Sequence, residues 1–135
     1  MPSRGKVLVL FSSIVAIGGI AIGLAVSVSE RERKTQRAIA ISGGNPDKAM
    51  QSIVRYGCAA CHDIPGAQMP GGLSASSLAG VIDRIYLGGV ASNTPDNLVG
   101  WIVNPRQFDP RSGMPLTGIG DAEARDIAAY LYLNR

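Results

Sequence analysis

The chain has 135 residues, 46% of them hydrophobic but only two Phe and one Trp, so it holds one small domain with a modest core. Its net charge of +3 is unevenly spread: residues 1–45 carry six basic against two acidic side chains, and residues 46–135 carry seven against eight. The second part has no basic face and no basic–aromatic pattern, which excludes nucleic-acid binding.

Val7–Val28, "VLVLFSSIVAIGGIAIGLAVSV", carries no charge over 22 positions. As a helix it spans roughly 33 Å, about one hydrocarbon core. Arg4 and Lys6 ahead of it resemble a signal-peptide n-region, but a secretory apolar core is about 7–15 residues long. Ala25-Val26-Ser27 is also a poor cleavage site. The expectation is a retained transmembrane anchor over residues 1–28, with cleavage as the alternative. Basic residues flank both ends, so charge does not orient the span. Gly19 and Gly23 form a small-x-x-x-small pair that admits a neighbouring helix; a lone pair is also ordinary membrane-helix composition. Without this segment little core remains, and a bound cofactor or covalent staple is expected.

Residues 29–45 read as a charged stalk or linker. "SERERKTQRAIAIS" is rich in helix formers, and Glu30 and Lys34 pair at i, i+4. The first helix continues through it, its bases near anionic headgroups, or it is a solvated linker. Gly43-Gly44 ends either version and is the expected joint with the domain at 46–135.

That domain opens with a helix. Asn45 caps it, Pro46 takes its first position and Asp47 complements its dipole. Ala49, Met50, Ile53 and Val54 make its apolar stripe, and it ends near Tyr56-Gly57. Residues 63–80 are loop. "LAGVIDRIYLGG" has room for a short helix, and "TPDNLVGWIVNP" is another, with Thr94 as cap and Pro105 as terminator. "FDPRSGMPLTGIG" is loop. "DAEARDIAAYLYLN" closes the chain as a helix whose inner face is Ile127, Ala128, Leu131 and Tyr130. Nothing reads as a strand, so the expected class is all-α.

Cys58-Ala59-Ala60-Cys61-His62 holds both cysteines and the single histidine of the chain. A structural zinc takes four ligands, and three Cys and His in total exclude a Cys/His zinc site within one chain. A thioredoxin-like motif needs a βαβ context that is absent. A plain disulfide leaves His62 unexplained. C-x-x-C-H has one specific reading, covalent attachment of a c-type haem. The thiols of Cys58 and Cys61 become thioethers, and His62 is carried beneath the iron.

With that motif after the first domain helix, and "SGMP" followed by "DAEARDIAAYL" at the end, residues 46–135 resemble a class I bacterial cytochrome c. The nearest in pattern are the membrane-anchored members and the domains fused to haem–copper oxidase subunits. The resemblance implies a small fold wrapped around one haem c, with a methionine as sixth ligand. Met1 is excluded by position, Met50 belongs to the helical stripe, and Met69 lies seven residues after His62 on the proximal side. Met114, on the loop before the final helix, is the expected ligand. His/Met ligation raises the reduction potential. With both axial positions filled the resemblance implies an electron carrier, not an enzyme, with no small-molecule substrate.

The family's Gly-Pro-Pro-Leu-x-Gly run aligns with "ASSLAG", residues 75–80. The carbonyl that accepts from the His62 ring is then that of Ser76 or Ser77, with Pro70 as the other candidate. Arg84, Tyr86 and Trp101 are expected at the haem propionates, each with an ordinary surface or core role as the alternative. Tyr130 resembles the aromatic of the last helix that packs on the first.

The resemblance also implies a bacterial inner-membrane protein, single-pass, with a cytoplasmic N-terminus and the haem domain on the periplasmic side. The expected partners are membrane lipid, a quinol–cytochrome c reductase and a haem–copper oxidase or another membrane redox complex. The alternatives are a fixed haem c subunit of a larger oxidase or dehydrogenase complex and, in another class, a haem-based sensor with a displaceable Met114.

Overall fold

The structure, a computed structural model, describes residues 4–67 and 74–134, with side chains from Val15 onward. The chain divides into two compact units, Met1–Lys34 and Thr35–Arg135. Helix α1, Arg4–Ser42, is 39 residues long and begins in the first unit. It continues through "SERERKTQRAIAIS", whose helix formers carry it to Ser42.

In the first unit, seven large apolar residues from Val15 to Val28 are 51–68% exposed. The Ser27 and Ser29 hydroxyls donate to the carbonyls of Leu24 and Val26, at 2.9 and 2.8 Å. This satisfies the two polar side chains within an apolar stretch. Among the described residues no helix is long and apolar enough to cross a membrane. The span expected at Val7–Val28 is therefore not found among them. Its described remainder, Val15–Val28, rises only about 21 Å against a core of about 30 Å. Residues 7–14 lie outside the described side chains.

The second unit begins with the end of α1. Ala38 and Ser42 are 2% and 1% exposed. Gly43 turns the chain at φ +72°, and a Cβ at Gly44 would run into the backbone of Arg125. The Asn45 N–H donates to Asp126 Oδ1 at 2.6 Å. The joint expected at Gly43-Gly44 is thus packed, because only a residue without a side chain fits against that backbone.

Helix α2, Pro46–Arg55, starts under an Asn45 cap that accepts from the Asp47 N–H at 3.0 Å. Helix α3, Pro95–Val103, starts under Thr94, which accepts from Asn97. Helix α4, Asp121–Leu133, packs mainly on α2 and next on α3. Ala49, Ile53, Ala124 and Ala128 are 0% exposed and Ile127 is 3% exposed. Small side chains there let the α2 and α4 backbones approach. Val54 is 54% exposed and Ser52 is buried, which corrects the expected stripe. Positions 49, 52 and 53 lie on one face at helical spacing, and 54 is turned away from it.

Two elements were not expected. Strands β1, Tyr86–Leu87, and β2, Ala91–Ser92, pair antiparallel, with Leu87 opposite Ala91. Gly88 and Gly89 turn between them at φ +53° and +77°, which only glycine adopts without strain. The short helix expected in that stretch is a single 3-10 turn, Val81–Asp83. The domain is otherwise helical.

Candidate functional site

The α2 helix ends at Tyr56, and Gly57, at φ +67°, turns the chain into a 3-10 turn at Cys58–Ala60. The His62 N–H donates to the Cys58 carbonyl at 3.0 Å, so Cys58, Cys61 and His62 follow one tight turn. Neither cysteine is in a disulfide; Cys58 is half-buried and Cys61 exposed. Burial pushes the Cys58 thiol up from its ordinary pKa.

His62 Nδ1 lies 2.7 Å from the Ser76 carbonyl oxygen. A carbonyl only accepts, so Nδ1 donates to it, and in the neutral ring this leaves the Nε2 lone pair for a metal. Of the acceptors considered from sequence, Ser76 is the one at hydrogen-bond distance, while Pro70 and Met69 lie outside the described residues.

Two adjoining cavities, of about 200 and 350 Å³, are both lined by Cys58, His62 and Met114. The first is an apolar slot whose walls include Ile64, Leu78, Leu98, Ile102 and Leu131. Arg84, Tyr86 and Trp101 also line it, and Arg84 is the one charged side chain among its described lining residues. Trp101 stacks on Phe108 with ring centroids 5.8 Å apart. A Cβ at Gly88 would enter the Trp101 ring, so the hairpin turn lies against the indole. The second cavity reaches Tyr56, Ser74 and Pro115.

Met114 sits in the loop between α3 and α4. Its N–H donates to the Ser112 hydroxyl at 3.3 Å, and Ile119, 4% exposed, anchors the loop in the core. Met50 is instead packed against the hydrophobic core. Tyr130, expected on the first helix, gives its hydroxyl to the Pro65 carbonyl in the loop after His62.

Sequence reasoning does not single out Asp63, whose carboxylate accepts from the Ser77 hydroxyl at 2.7 Å. An exposed carboxylate after the motif has no local signal, since its partner lies fourteen residues on. Gly88 is the other residue missed; the Gly88-Gly89 pair was its available signal.

The site thus brings a thiol, an imidazole and a thioether to one apolar slot, with the second thiol, Cys61, on the wall of the adjoining cavity. A family model described as Cytochrome c matches residues 48–132. No curated protein matches the chain, and no solved structure does.

Proposed function

The chain belongs to the cytochrome c family, and on that premise we propose that it is a membrane-anchored carrier of single electrons in a respiratory chain, between a quinol–cytochrome c reductase and a terminal oxidase. The family binds haem c covalently and transfers electrons, which supports the reading of a carrier.

The residues present fit that group. Its attachment needs two thiols one turn apart, and Cys58 and Cys61 supply them. Its apolar ring needs an apolar slot, and its carboxylates favour a positive charge, which Arg84 supplies. In this reading His62 and Met114 would hold the haem iron. Bound there, the haem supplies a one-electron iron couple. Cys58 and Cys61 would hold it, His62 is oriented by the Ser76 carbonyl, and Met114, on the wall of both cavities, would exclude water from the iron. Arg84, Tyr86 and Trp101, which line the slot, would contact the haem carboxylates. The observation that carries the reading is that Cys58, His62 and Met114 line both cavities of one site.

The anchor rests on the charge-free run Val7–Val28 and on the exposed apolar side chains from Val15 to Val28. The haem domain would then be periplasmic, on a bacterial inner membrane. Anchoring replaces bulk affinity by effective concentration. It suits a domain of seven basic and eight acidic residues, which has no strong field to steer a partner. A second reading, a fixed haem subunit of an oxidase or dehydrogenase, is favoured by the packed joint at Gly43-Gly44.

A native gel of gently solubilised membranes, stained for covalent haem, separates them. The carrier predicts a haem band at low mass. Haem that travels with an oxidase or dehydrogenase makes the chain a built-in relay, and haem in the soluble fraction removes the anchor.

A further inference from the structure

The His62 ring is steered by a carbonyl in a segment without helix or strand. Two backbone bonds bracket that carbonyl: the Ala75 N–H donates to the Cys61 carbonyl at 3.1 Å, and the Leu78 N–H to the Asp63 carbonyl at 2.7 Å. Side chains then fix the residue next to it. The Ser77 hydroxyl donates to Asp63 Oδ2 at 2.7 Å and accepts from the Ala79 N–H at 3.2 Å. The Arg84 guanidinium donates to the Ser77 carbonyl. Arg84 is itself held, because Asn93 Nδ2 donates to the carbonyls of Val81 and Arg84 at 2.7 and 2.9 Å.

We propose that Asp63, Ser77 and Arg84 form a clamp that positions the Ser76 carbonyl and so sets the orientation and hydrogen bond of the His62 ring. The inference rests on the reading that His62 ligates the haem iron. Asp63 follows His62 in the chain and Ser77 follows Ser76. The clamp therefore ties the ring's neighbour to the neighbour of its acceptor. No proline stiffens residues 74–79, so the stiffness comes from these polar contacts. They are largely exposed, and exposed polar contacts add little to folding stability. Their effect falls on the geometry of one bond. A looser acceptor weakens the N–H···O bond and makes the imidazole a poorer donor to iron. Ferric iron is then less favoured, and the reduction potential rises.

The test uses the full haem-loaded chain in detergent micelles. It reads two quantities, solvent exchange of the His62 ring Nδ1–H by proton NMR in the reduced state, and the reduction potential. Ser77→Ala is expected to speed that exchange about fivefold, the worth of one ordinary hydrogen bond. It should also raise the potential while haem content stays at the wild-type level. Ser77→Thr keeps the hydroxyl and should restore both. Asp63→Ala removes the same bond from an exposed position and is held to the same outcomes if Ser77→Ala does not accumulate. Iron-bound His62 with unchanged exchange and potential in these variants overturns the clamp alone. A wild-type ring without resonances shifted by the haem ring current overturns the ligand reading, and the clamp with it.

Discussion

Met114 reaches the site on a loop, and two local features place it: the Ser112 hydroxyl that accepts from its N–H, and Ile119 seated in the core. Its thioether stabilises ferrous iron in the proposed reading. Met114→Ala leaves Cys58 and Cys61 untouched, so covalent haem is retained. The reduction potential should fall on the order of 100 mV, a fraction of the roughly 0.8 V that axial ligands span. The opened position should bind added imidazole. Potentiometric and spectral titrations check both effects, and an unchanged potential and spectrum would remove Met114 from the iron. The motif and this methionine were readable because each announces itself within a few residues. The Ser76 acceptor was narrowed but not chosen, since its bond spans fourteen positions and depends on how residues 74–79 lie.

At the scale of elements, α2 and α4 carry the fold. Full burial of Ile53 is worth about 1.5–3 kcal/mol, and the alanines around it allow close approach. One edge of the crossing is polar: the Tyr56 hydroxyl donates to Glu123 Oε2 at 2.6 Å, and Arg55 pairs with Glu123 at 2.8 Å. The bond to Glu123, then burial, raises the Tyr56 pKa above its ordinary 10.0. A raised folded-state value favours the protonated phenol. The stability it lends is therefore complete below the ordinary value and lost as pH rises through the raised one. Urea unfolding between pH 8 and 11 should show stability declining above pH 10, more steeply than in Tyr56→Phe. Parallel curves for the two proteins would show that the phenol contributes nothing. Helix starts were legible because Asn45 and Thr94 cap over a single turn. The hairpin escaped notice because two-residue strands are too short to show alternation. Val54 and Ser52 exchanged places because a stripe with four apolar positions does not say which edge meets the neighbour.

For the whole molecule, the haem-binding unit starts at Thr35, eleven residues before the boundary at Pro46 expected from composition. Arg125 Nη1 donates to the Ser42 carbonyl at 3.1 Å, and Ala38 is buried. A chain beginning at Thr35 should fold and take up haem. One beginning at Asn45 should be less stable by about 2 kcal/mol, for lost burial and one hydrogen bond to an arginine. Urea midpoints of the two haem-loaded chains measure this, and equal midpoints would make residues 35–42 dispensable.

By itself the sequence determined what is local: the thiol and imidazole spacing, the helix caps, the charge-free N-terminal run and the methionine before the last helix. These act over a turn or along one continuous segment, so their consequences follow from residue order. Only the tertiary structure decided which carbonyl faces His62, that Arg84 holds Ser77, and that Gly44 is wedged against Arg125. Such contacts, with the Arg125 bond to the Ser42 carbonyl, join segments up to 83 residues apart, and their partners are selected by packing rather than by proximity in the chain.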